Sequence, residues 1–243
     1  LTLNFHKKLK ELNIGLDASY SEFSFEDSFN PFERKNNVKR TSITPSLGFS
    51  NVGISSLSTL TVGRTDSKHK YDSSSLDNSR NWAEVSHKIY MDNYGNNAFR
   101  SLSPIVKLIW IDGKNKEISQ IDSKIINLDL ETLLRRNWYS GNDLFLEKNR
   151  IILGFEHNYV NQNSGKERYF SVAKSFFSNK DFNRINEKKH SSSIVTAFNS
   201  EITDNLHLVS ELEIHEDFEN ILTGSMGIKF NKDERKNIEL RSI

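Results

Sequence analysis

Asn149-Arg-Ile-Ile-Leu-Gly-Phe-Glu-His-Asn-Tyr159 leads through a polar turn, Asn163-Ser-Gly-Lys-Glu-Arg168, into Tyr169-Phe-Ser-Val-Ala-Lys-Ser-Phe-Phe177. Both flanks alternate as strands do. Each runs for about 11–13 residues, where a soluble strand averages about 5–6 and a tilted strand crosses a bilayer in about 9–11. The length of this hairpin points to a membrane wall rather than to an active site.

The later part of the chain alternates most clearly. Leu206, Leu208, Leu212 and Ile214 fall on one face of a strand, with His207, Glu211 and Glu213 on the other. Leu222, Met226, Ile228 and Phe230 likewise oppose Thr223, Ser225 and Lys229. Period-two separation gives one oily and one wet face. The expected lipid-facing set is therefore Leu206, Leu208, Leu212, Ile214, Met226, Ile228 and Phe230, and the expected lumen-facing set is Glu211, Glu213 and Lys229. Filling of a soluble core is the competing account of the same apolar positions.

In all, about twelve strands are expected, over 2–7, 12–23, 40–50, 54–66, 82–92, 99–112, 148–160, 165–178, 192–201, 206–217, 221–231 and 235–243, with boundaries uncertain by about two to four residues. A helix is considered only within 124–136. Long connections (24–39, 66–81, 113–147, 178–191) alternate with short Asn-, Asp- and Gly-rich turns, except that the one at 218–220 is also short. An up-and-down outer-membrane barrel sorts its loops this way; a Greek-key sandwich has no reason to. Aromatics near strand ends (Trp82, Tyr90, Trp110, Tyr159 and Phe230) suit interfacial girdles. In 168–177, Lys174 shares a face with Phe170, Val172 and Phe176, so either it lies near an interface or the register slips at a bulge.

Composition agrees. Apolar residues make up 35% of the 243, low for a closed core, yet aromatics reach 11%. One greasy face per strand explains both, and the aromatics and long strands argue against disorder despite a mean hydropathy of −0.61. Net charge is +1, so nucleic acid is not an expected partner. Cysteine is absent, which excludes thiolate metal sites within this stretch. No apolar run reaches the ~18 residues of a membrane helix. The chain starts without Met at Leu1-Thr-Leu and stops at Leu240-Arg-Ser-Ile243, each reading as strand, so it is expected to be a fragment of a longer protein.

Little points to chemistry. Glu211, Glu213 and His215 alternate on one face and could share a cation only with ligands from a neighbouring strand; a wet lumen explains them as well. No nucleophile elbow and no phosphate-cradling Gly-rich loop is present, so neither catalysis nor a cofactor is expected. Basic clusters, Arg34-Lys35 with Lys39-Arg40 and Lys188-Lys189-His190, have acidic neighbours and read chiefly as solvated loops, with lipopolysaccharide phosphates as the alternative.

Leu133-Leu-Arg-Arg-Asn-Trp-Tyr-Ser-Gly-Asn-Asp143, then Asn149-Arg-Ile-Ile-Leu-Gly154, the turn Gly165-Lys-Glu-Arg168, Phe170–Phe177, Ser193-Ile-Val195, Thr203-Asp-Asn205, Gly224-Ser-Met-Gly-Ile228 and Asp233-Glu-Arg-Lys236 follow in an order that resembles the LPS-assembly outer-membrane protein family (LptD). The resemblance is specific from about Asp122 onward and looser upstream. Leu144 and Trp138 depart from the family pattern. Its motif loop and turn correspond to Asn137, Ser140, Gly141, Asp143, Asn149, Arg150, Gly154, Glu167 and Arg168. The resemblance implies an all-β, antiparallel up-and-down transmembrane β-barrel of 26 strands in the cell outer membrane, of which this chain supplies about twelve. It also implies a periplasmic jelly roll before the barrel, an LptE-like plug lipoprotein inside it, periplasmic LPS-bridge proteins as donors, and lipopolysaccharide inserted among outer-membrane lipids as the task. Another large barrel, a porin or receptor, and a soluble all-β binding protein are the alternatives.

Overall fold

The computed structural model describes residues 1–27, 34–71, 74–112, 129–135, 149–178, 191–215, 217–233 and 236–242. Strands follow one another as β1 (Thr2–Leu9), β2 (Leu12–Asp27), β3 (Arg34–Asn51), β4 (Ile54–Tyr71), β5 (Ser74–Tyr94), β6 (Ala98–Asp112), β7 (Arg150–Asn161), β8 (Glu167–Phe177), β9 (Ile194–Thr203), β10 (Leu206–Ile214), β11 (Ile221–Asp233) and β12 (Lys236–Ser242). Among the described residues one short helix, α1 (Leu130–Leu134), stands between β6 and β7, inside the segment 124–136 where the sequence allows a helix. Each strand pairs antiparallel with its sequence neighbours, in one open sheet ordered β1 to β12.

The β7–β8 hairpin closes through Asn161. Its Oδ1 accepts from the amides of Asn163 (2.9 Å) and Ser164 (3.1 Å), and its carbonyl accepts from Gly165 N–H at 2.7 Å. Gly165 takes φ 67, which a side chain would disfavour.

Two expected loops are corrected. β2 to β5 run well past their apolar stretches: β3 starts at Arg34 rather than residue 40, β4 continues to Tyr71, and β5 starts at Ser74. The connections expected at 24–39 and 66–81 shrink to 28–33 and 72–73, so the alternation of loop lengths is weaker there than expected. Hydrophobic alternation ends where the apolar band ends, but backbone pairing continues through polar residues such as Arg64↔Asn81 and Asp66↔Ser79. At the far end β10 stops at Ile214 rather than 217, one residue after the register against β11 shifts between Glu213 and Ile214.

The two faces differ in kind. A row of directly opposed residues, Leu60–Val85–Leu108–Ile151–Phe176, crosses β4 to β8. Each of the five is between 41% and 46% exposed. Four strand spacings of about 4.8 Å make this a continuous apolar strip of roughly 19 Å. Leu102, Val106, Leu153, Phe155 and Phe170 stand on the same face, also exposed. Soluble monomers rarely expose patches beyond a few hundred Å². The opposite face carries Thr59–Ser86–Lys107 in register, with Ser103 opposite Glu156 and Glu156 opposite Ser171. Register through β7, β8 and β9 is unbroken, so no bulge accompanies Lys174. It stands on the exposed face three residues from the end of β8.

The aromatic expectation divides. Trp110 and Phe230 stand exposed on the apolar face, and Tyr159 shares it in register with Arg100 and Arg168. Trp82 does not: it is 6% exposed and faces the polar side, opposite Gly63 and Ile111. Tyr90, opposite Ser55, also falls on the polar side.

Candidate functional site

On the otherwise polar face lies one apolar island, and α1 sits on it. Leu133 is fully buried in one cluster with Trp82, Ile109, Ile111, Ile152, Ala173, Phe177 and Val195, against which Leu130 and Leu134 also pack. A five-residue helix has no stability of its own, so the wall must hold it. Burying Leu133 contributes about 1.5–3 kcal/mol. Asp129 caps the N-terminus, its Oδ1 accepting from Thr132 N–H at 2.6 Å. At the other end two strand cations reach the last carbonyls: Lys107 Nζ donates to Leu134 O, and Arg150 Nη2 donates to Arg135 O at 2.6 Å. Lys107 also pairs with Glu84 at 2.8 Å. Arg135 itself turns outward to Glu131, whose hydrogen bond and charge hold the guanidinium above its ordinary pKa.

The wall is shaped for this contact. A Cβ at Gly63 would stand 2.2 Å from the Trp82 ring, so only glycine lets the indole lie across β4 at the edge of this cluster. Further from the helix, Lys88 pairs with Glu156 at 2.6 Å, joining β5 to β7 across the polar face of β6. Both side chains are largely enclosed, at 24% and 17% exposure.

The motif residues now have places. Asn149 stitches three strands: its Oδ1 accepts from Ile111 N–H at 2.8 Å and its carbonyl from Ser178 N–H at 3.0 Å. Arg150, 2% exposed, ties β7 to the helix end. Gly154 has no room for a side chain, since a Cβ would meet Ala173 Cβ and Val172 O, each at 2.9 Å. The Glu167–Arg168 turn lies at the opposite end of the strands, away from this cluster. Glu167 N–H donates to Glu201 Oε2 at 3.0 Å, and the guanidinia of Arg168 and Arg100 lie 5.8 and 5.7 Å from the Tyr159 ring centroid. Asn137, Ser140, Gly141 and Asp143 lie outside the described residues, as does the basic cluster 188–190.

On β10 and β11 the register opposes Leu206 to Phe230, Leu208 to Ile228 and Leu212 to Gly224, with Met226 opposite Ser210 in the same alternation. Ile214 pairs with Ile221 after the register shift. Glu211 opposes Ser225, Glu213 opposes Thr223 and Lys229 opposes His207 on the other face. Glu213 is buried and accepts from Thr223 Oγ1 at 3.1 Å. His215 leaves the strand and turns toward Asp217 at 3.2 Å, so Glu211, Glu213 and His215 do not converge. Among the described residues no group of three or more His, Asp or Glu is placed to hold a metal.

Sequence reasoning missed Trp82, Glu84, Lys107 and Leu133 as one unit. A signal was present: Ile105, Ile109 and Ile111 alternate with exposed residues on the face that also carries Ser101 and Ser103, so β6 is apolar on both sides near its end.

The arrangement is an antiparallel sheet with a short helix latched to its polar face, and the comparison with known families gives its kinship. The family model for LPS transport system D, LptD, matches residues 1–241. The chain belongs to the LptD family. The match extends through the upstream strands, where the resemblance was looser. Among individually curated proteins none matches. Membership makes the chain a component of lipopolysaccharide transport and assembly at the outer membrane, in keeping with an all-β antiparallel sheet. No helix among the described residues is long and apolar enough to cross a membrane.

Proposed function

We propose that this LptD chain is part of the wall of one large closed barrel, of the family's 26-strand size, that inserts lipopolysaccharide into the outer leaflet. The observation that carries this is the separation of faces, with the Leu60–Phe176 row exposed on one side and paired charges and hydroxyls on the other. Hydrocarbon covers the first face, including Leu206, Leu208, Leu212, Ile214, Met226, Ile228 and Phe230. A polar lumen wide enough for a sugar-rich head group faces the second, with Glu211, Glu213 and Lys229. The open edges at β1 and β12 require further strands, since unpaired backbone in lipid is costly. An LptE-like lipoprotein occupies the lumen, and periplasmic bridge proteins deliver the substrate through a preceding jelly-roll domain. No covalent step is needed.

Depletion of the parent protein in living cells tests this. Surface lipopolysaccharide should fall while other outer-membrane barrels still assemble. Unchanged surface lipopolysaccharide would overturn the reading. The plug is tested separately by purification: a small lipoprotein should accompany the barrel, and an empty, stable barrel would count against it.

A further inference from the structure

The exposed apolar face carries a groove that the transport reading does not use. Near the β6–β7 end of strands β5 to β8, a cavity of about 330 Å³ is lined by Val85, Leu108, Trp110, Ile151 and Phe176. Asn149 and Ser178 form a polar rim. This size falls in the range of small-ligand sites, about 300–1,000 Å³. Lys174 does not line the cavity but stands next to it: its Nζ lies 5.6 Å from the centroid of the Phe176 ring, which does. Among the described residues no carboxylate pairs with it. An ammonium on an otherwise apolar face is costly in lipid unless it reaches the interface or meets an anion.

We propose that this groove and Lys174 hold one lipopolysaccharide molecule of the outer leaflet against the outside of the wall. One acyl chain lies over Leu108 and Ile151 between Trp110 and Phe176. A lipid phosphate takes a charge-assisted hydrogen bond from Lys174. The site rests on the membrane reading and adds to it a resident lipid position, distinct from the lumen.

The test places a photoreactive p-benzoylphenylalanine at position 110 of the full-length protein in the outer membrane. Position 43, on the same exposed face and in the same register row as 110 (Ile43–Val62–Ala83–Trp110) but three strands away, is the control. Capture of lipopolysaccharide per assembled barrel should be about tenfold higher at 110 than at 43, and Lys174→Met should remove most of that excess while Lys174→Arg keeps it. Equal capture at the two positions, capture of glycerophospholipid alone at 110, or no effect of Lys174→Met would each overturn the site. If neither position captures any lipid, the membrane reading fails with it.

Discussion

Leu208 and Glu211 stand three residues apart on β10 and face opposite ways, so they respond oppositely to substitution. Leu208→Arg or Ile228→Arg should hinder barrel assembly, at a cost of about 2–4 kcal/mol near mid-depth. Glu211→Ala and Lys229→Ala should do far less. Heat-modifiable mobility of the assembled barrel reads the difference, and equal losses would contradict the faces. This alternation was legible in the sequence because a strand has a period of two and β10–β11 keep it without interruption from 206 to 213. Trp82 was not legible. Its neighbours Ala83 and Val85 fit the exposed face, and nothing in the local pattern says that the indole turns to the polar side to meet a segment some fifty residues on.

At the scale of the element, α1 depends on its wall. Leu133→Ala removes the one fully buried leucine of the latch, and such truncations cost about 2–5 kcal/mol. Hydrogen exchange of the amides at 133 and 135 should then speed up while β7–β8 amides stay protected. Unchanged exchange would mean that the helix is held elsewhere. Gly63→Val should give the same loosening from the other side, because the new side chain displaces Trp82. Arg150→Met leaves Arg135 O without its strand donor, a loss of about 1–3 kcal/mol, and should release the helix end specifically. The sequence marked Asn149 and Arg150 through their family motif but gave them no task. Their partners are Ile111 N–H and Arg135 O, backbone atoms that no residue pattern encodes. Strand lengths were misjudged for a related reason: polar hairpins beyond the band satisfy their backbone by pairing, which needs no hydrophobic alternation.

For the whole molecule, twelve consecutive antiparallel strands were readable from alternating stretches and Asn-rich turns, and one open sheet carries them in that order. β5 spans 21 residues, about twice the ~9–11 a bilayer requires, so in the proposed barrel its far half projects beyond hydrocarbon. The account stands on what covers the exposed face. Single cysteines can be placed along 206–213 and 224–230, a stretch with none of its own, in a parent protein cleared of any other cysteine, and spin-labelled. The most direct measurement is collision accessibility of those labels, in the full-length protein in bilayers, to oxygen and to a water-soluble nickel complex. The account predicts oxygen accessibility at 206, 208, 212, 226, 228 and 230, nickel accessibility at 207, 211 and 229, and a strict period of two between them. Labels at 208 and 228 shielded from both reagents would place those side chains inside a protein core and contradict it.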